Sequence, residues 1–147
     1  MINKLLVAVD GSNHSMKAVD YASEIAASLK ATVIILYVIK ARELPKGLRE
    51  YAELEHFGGP NIDILKKLAT GLVANAERRA KAKGVDDTVG EVEEGPVART
   101  IVARAKHHDA DLIVVGSRGW GNIEATLRGG VSHRVELLAK CPVLTVK

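Results

Sequence analysis

Three short, almost unbroken apolar runs constrain this chain more than any other feature: Leu5–Val9, Thr32–Ile39 and Leu112–Val115. They are too short and too continuously apolar to rest one face on water, so they read as strands buried on both faces of a parallel sheet. A fourth run, Val143–Val146, follows Pro142. Proline cannot donate a ladder hydrogen bond, which places that strand at a sheet edge. Thr88–Glu93 is more polar and suits the opposite edge.

Helical spacing fills the intervals. Ser12 or Asn13 can cap a first helix whose Val19, Ala22, Ala26 and Leu29 share one face. A second is expected from about Asn61 to Lys83, with Leu65, Leu68, Leu72 and Ala76 inward, the charges of Glu77–Lys83 outward, and Gly84 as its stop. Pro96 suits the first turn of a third, which turns Ala98, Ile101, Val102 and Ala105 to the sheet, and a fourth runs from about Gly129 to Ala139. Strand and helix alternating in this way predict an α/β fold with a doubly wound parallel sheet and right-handed crossovers. The connection from Lys40 to Pro60 is longer than usual and reads either as a lid or partner surface or as a disordered insertion.

A chain of 147 residues fits one domain, residues 1–147, and needs no disulfide or structural metal to bury a core. Aromatics are only 3% of the sequence, so that core must be built from Val, Ile, Leu and Ala. The pI near 9.0 invites a nucleic-acid partner, but 18 acidic residues nearly match 21 basic ones and no basic stripe interleaves with aromatics. No nucleic acid is expected. No apolar run approaches the ~20 residues of a bilayer span, which excludes membrane insertion. A single cysteine and the lack of a signal-peptide pattern after Met1 point to the cytoplasm. Cys141 reads as a small buried hydrophobe, His107 and His108 as cations closing the third helix, and Trp120 as a partly buried anchor or a cover for a site.

The most informative segment is Val114-Val115-Gly116-Ser117-Arg118-Gly119, followed by Trp120–Arg128 and then by Gly129-Gly130-Val131-Ser132 opening a helix. Glycines let backbone N–H groups approach anionic oxygens, and a helix N-terminus adds unsatisfied donors and a favourable dipole. Hydrogen bonds to a charged group contribute about 1.5–3 kcal/mol each, so two or three amides suffice for useful affinity. Valine at Gly116 or Gly129 is therefore expected to obstruct an anion while leaving the fold intact. Neither GxGxxG nor GxxxxGK[ST] is present, and GSRG lacks the serine-nucleophile arrangement.

The spacing Gly116-x2-Gly119-x9-Gly129 resembles the signature of nucleotide-binding members of the universal stress protein family. Val7-Ala8-Val9-Asp10-Gly11-Ser12, Leu36-Tyr37-Val38, Ala110–Val115 and Cys141-Pro142-Val143-Leu144 extend the resemblance over the chain outside the variable 40–60 connection. It implies a Rossmann-like sandwich with a five-stranded parallel sheet in the order 3-2-1-4-5 and helices on both faces. Ala8 and the Val38 backbone would meet an adenine, and Asp10 the ribose or a phosphate-bound Mg; Asp10 as a turn or cap residue is the structural alternative. Gly116, Gly119, Gly129, Gly130 and Val131 would contact ribose and phosphates, with Arg118 and Ser132 as further candidates. The family usually carries Ser or Thr directly after the third glycine, where this chain has Gly130. The resemblance implies a stress-linked regulator binding ATP, with Mg, or another adenine nucleotide, and forming a homodimer through the carboxyl-terminal edge strand for an unidentified protein partner. A slow ATPase or phosphotransfer enzyme and a nucleotide-free interaction module are the competing readings.

Overall fold

The computed structural model describes residues 1–40, 62–118 and 130–147. The readings placed on the 40–60 connection, Gly119, Trp120 and Gly129 fall outside these residues, apart from Lys40. In chain order the elements are β1 (Lys4–Ala8), α1 (Asn13–Leu29), β2 (Thr32–Lys40), α2 (Ile62–Ala82), β3 (Thr88–Gly95), α3 (Val97–His107), β4 (Leu112–Gly116), α4 (Gly130–Leu138) and β5 (Val143–Val146). All pairings are parallel and the sheet order is β3-β2-β1-β4-β5. The more polar strand and the strand after Pro142 occupy the two ends of that order, as their composition requires.

Period-two alternation explains why the central strands are apolar throughout. Leu5, Val7, Ile35 and Val114 point into a core shared with α1 and α2, while Leu6, Ile34, Leu36, Ile113 and Val115 point into one shared with α3 and α4. Burying one such side chain contributes about 1.5–3 kcal/mol, so neither face tolerates a polar position.

Ser12 is the N-cap of α1: its Oγ accepts the Ser15 N–H at 3.2 Å. The helix closes on Lys30 in the left-handed conformation (φ 55°), which carries the chain back into β2. Leu29, expected on the buried face, is exposed at this turn. The second helix corrects the sequence reading further. Its buried row is Ala69, Val73, Ala76 and Ala80, whereas Leu65 and Leu68 face outward, Leu68 being 67% exposed. Small side chains win because α2 lies close over β3. A Cβ on Gly90 would stand 2.7 Å from Val73 Cγ1 and would collide with the Glu77 carboxylate. Glu77 is correspondingly drawn in, accepting the Thr88 hydroxyl at 2.8 Å.

The third helix keeps its expected face, with Ala98, Ile101 and Ala105 buried. Beside it lies a polar cluster that spacing did not suggest. Arg104 forms a forked pair with Glu91 at 2.8 and 3.0 Å, and His108 Nε2 lies 2.6 Å from the same carboxylate. His108 therefore ties α3 to β3 in addition to ending its helix. Burial works to raise the Glu91 pKa, but the hydrogen bonds from Arg104 and His108 outweigh it and hold the carboxyl below its ordinary value. Cys141 is half-buried rather than fully enclosed. Burial raises its thiol pKa, which favours the protonated form. Among the described residues no helix is long and apolar enough to cross a membrane.

Candidate functional site

In an open parallel sheet the crevice for ligands lies beyond the carboxyl ends of the strands where the winding reverses, and here that point falls between β1 and β4. The first strand stops short of both neighbours. Its pairing with β2 ends at Ala8↔Leu36 while β2 continues to Lys40, and its pairing with β4 ends at Val7↔Val114 while β4 continues to Gly116. Alternate residues of a parallel strand turn their peptide groups to the same neighbour. Thr32 N–H donates to Asn3 O and Leu36 O accepts from Val9 N, so the even residues of β2 face β1. Val38 is the next in that series, past the last rung. On β4, Ile113 and Ser117 N–H groups donate to Pro142 O and Val146 O of the β5 side. Gly116 thus lies on the β1-facing side, across the gap from Val38 and one residue lower in register. Ala8 and Val38 both pack, partly buried, against the core on the α3/α4 face.

The floor of the gap is a tight polar turn. Asp10 Oδ1 accepts the Ser12 N–H at 2.8 Å, Asp10 N–H donates to Ser15 Oγ at 3.3 Å, and Ser15 Oγ donates to Ser12 O at 3.0 Å. Gly11 takes φ +83°, the left-handed region glycine enters at no steric cost, and so lets the chain reverse from strand to helix. Asp10 therefore is a turn residue, as one of its two readings held, while sitting at the crevice. Ser15 was not anticipated, although its place three residues after the Ser12 cap is the position a cap serves.

The two described ends of the glycine segment differ. At the β4 end, a Cβ on Gly116 would lie 2.9 Å from the His14 carbonyl carbon, 3.0 Å from His14 Cβ and 3.0 Å from Ser15 N. The fold itself demands glycine there, because β4 ends against the first turn of α1. This corrects the expectation that valine at Gly116 would leave the fold intact. At the α4 end, no atom of the described residues lies within 4 Å of a Cβ on Gly130. Val131 is exposed, and Ser132, 3% exposed, turns its hydroxyl to Ser117 O at 3.5 Å. Arg118 is exposed.

The structure thus gathers Ala8, Asp10, Val38, Gly116, Gly130, Val131 and Ser132 around the ends of β1 and β4, leaves the Arg118 side chain exposed, and does not describe Gly119 or Gly129. Sequence reasoning missed His14 and Ser117 in this region; their Nδ1 and Oγ are 3.4 Å apart. Only the approach of β4 to α1 makes them neighbours. Among the described residues no group of three or more His, Cys, Asp or Glu side chains could hold a metal ion.

The sheet order, the gap above β1 and the helix N-terminus beside it define a Rossmann-like α/β protein with a ligand-type crevice at its topological switch point. The sequence model of the Universal stress protein family matches residues 1–147, and the chain belongs to that family. It is 38% identical over 152 residues to Universal stress protein YxiE of Bacillus subtilis (strain 168), covering all of both chains. Among solved structures it is similar to a universal stress protein in complex with cAMP, at 30% identity and a TM-score of 0.70, covering 99% of this chain and 96% of that one. The universal stress protein UspA from Lactobacillus plantarum is 25% identical with a TM-score of 0.81, covering 99% and 98%.

Proposed function

We propose that this chain is a single-domain, cytoplasmic, stress-linked regulatory module that binds an adenine nucleotide in the crevice above β1. One observation carries the reading. Because β1 ends early, the Val38 and Gly116 peptide groups flank the gap one residue apart in register, with Ala8 beneath them and the α4 N-terminus, tied at Ser132 to the Ser117 carbonyl, on its rim. Main-chain amides and carbonyls in such a gap can pair with the edge of a purine. The first amides of α4 and the open Gly130 backbone suit an anionic phosphate. The similar protein solved with cAMP supports an adenine nucleotide as the class of ligand.

ATP is the proposed nucleotide, with Gly116, Arg118, Gly119, Gly129, Gly130, Val131 and Ser132 toward its ribose and phosphates. The chain offers Mg no cage of its own among the described residues, so the ion would arrive on the phosphates with Asp10 as a nearby carboxylate. Its chemistry there would be charge neutralisation.

Denaturing the purified protein and identifying what it releases tests this reading, together with equilibrium dialysis against ATP, ADP, AMP and cAMP with and without Mg. An adenine nucleotide is expected in at least one arm. Its absence from all of them overturns the proposal, and phosphate release in the ATP arm would reveal a slow ATPase instead. A homodimer through β5 is proposed as well. The β3 edge carries Glu91, Glu93 and Glu94, charges that resist strand pairing, whereas β5 reads Val-Leu-Thr-Val. Sedimentation at a monomer's rate at every concentration would reject that assembly.

A further inference from the structure

Ser117 is the point at which three elements meet. Its N–H donates to Val146 O of β5 at 2.7 Å, its carbonyl accepts the Ser132 hydroxyl of α4 at 3.5 Å, and its Oγ lies 3.4 Å from His14 Nδ1 on α1. The Ser117–His14 bond is one hydrogen bond whichever partner donates, the direction following the imidazole tautomer. Its length makes it adjustable rather than strong. Position gives it consequence. Gly116, one residue earlier, already lies close against His14, so the end of β4 meets the first turn of α1 with no room to move nearer, and the Ser117 side chain is placed where it can bear on how the chain leaves the strand.

We propose that Ser117 is a positioning residue, with His14 as its partner, that holds the N-terminus of α4 in register with the end of β4. Without the His14 contact, the Ser132 hydroxyl would still meet the Ser117 carbonyl, but the side-chain anchor that orients this carbonyl against α1 would be lost. The proposal rests on the nucleotide reading for its consequence in binding, but not for the tie itself. Ser117 touches no ligand in this account. It acts through the carbonyl that receives the Ser132 hydroxyl and through the hydrogen bond between its own hydroxyl and the His14 ring.

The test uses the full chain, without ligand and then with AMP and ATP. Without ligand, Ser117→Ala and His14→Ala are each expected to displace the amide 1H–15N signals of Gly130, Val131 and Ser132 while thermal unfolding stays that of the parent. Ser117→Thr, which keeps the hydroxyl, should restore the parental signals. With ligand, each alanine variant is expected to weaken nucleotide binding by about threefold to tenfold, the range of one ordinary hydrogen bond. The double variant should lose no more than either single, since both remove the same contact. Unmoved α4 signals in both single variants overturn the proposal whatever the protein binds. Displaced α4 signals in a parent that binds no adenine nucleotide would uphold the tie and refute the nucleotide reading. Additive losses in the double variant would show that His14 and Ser117 act separately, and would also overturn it.

Discussion

The two described ends of the glycine segment share a residue type and almost nothing else. Gly116 is closed in by His14 and Ser15, whereas at Gly130, which opens α4, a Cβ meets no described residue within 4 Å. A glycine in a binding signature can therefore be required by the fold, by the ligand, or by both. Only the distance from its missing Cβ to the surrounding atoms distinguishes them. At Gly116 the neighbours are two main-chain atoms and the His14 Cβ at the start of a capped helix, which cannot step aside singly. At Gly130 none of the described residues stands in the way of a Cβ.

Gly116→Val is the harshest way to break this contrast. Three added carbons would press on α1 where it cannot yield, and overpacking against an unyielding wall costs about 3 kcal/mol or more. Urea unfolding should show the loss with no nucleotide present. A parental midpoint would mean that β4 and α1 are farther apart than described.

A site remote from both ends supplies the reference. Glu91→Gln weakens the half-buried fork with Arg104 and His108, for a loss of about 2 kcal/mol at neutral pH. It should leave nucleotide affinity unchanged. The Glu91 pKa is depressed in the folded chain, so its contribution is fully present above its ordinary value of 4.5 and fades as pH falls through the lower folded value. Parent and variant should accordingly converge in stability on acidification. Curves that stay parallel into strong acid would show that the charge of Glu91 is not what matters.

Gly130→Ser is the gentlest change and sharpens the comparison most. It restores the hydroxyl usual after the third glycine at a place with room for it. Stability should change by about 0.5 kcal/mol or less, and ATP should bind as tightly as in the parent or more so. Dialysis decides it, and a large loss would mean that α4 begins elsewhere than against the phosphates.

Much of the architecture was legible because β-strands buried on both faces leave a plain mark. Leu5–Val9, Thr32–Ile39 and Leu112–Val115 each meet an observed strand within a residue or two, and Pro142 marked the edge. Helix faces were less legible. The rule that favours Leu over Ala turned Leu65 and Leu68 inward on α2, but closeness to β3 at Gly90 selected the alanine row instead. The crevice was half legible. The places of Asp10, Gly116 and Gly130 at strand ends and helix starts could be read from their order, while Ser15, His14 and Ser117 could not, since serine and histidine are common in turns and at helix starts for reasons unrelated to any site.

The sequence by itself determined which segments are strands, which ends carry caps and glycines, and that the core must be aliphatic, because those properties depend on neighbours along the chain. The tertiary structure decided that β1 stops below β2 and β4, that Gly116 is pressed against His14 while no described residue crowds Gly130, and that Ser117 meets His14 across a separation of 103 residues. Register and contact distance arise between segments far apart in the chain, and no local pattern of residues encodes them.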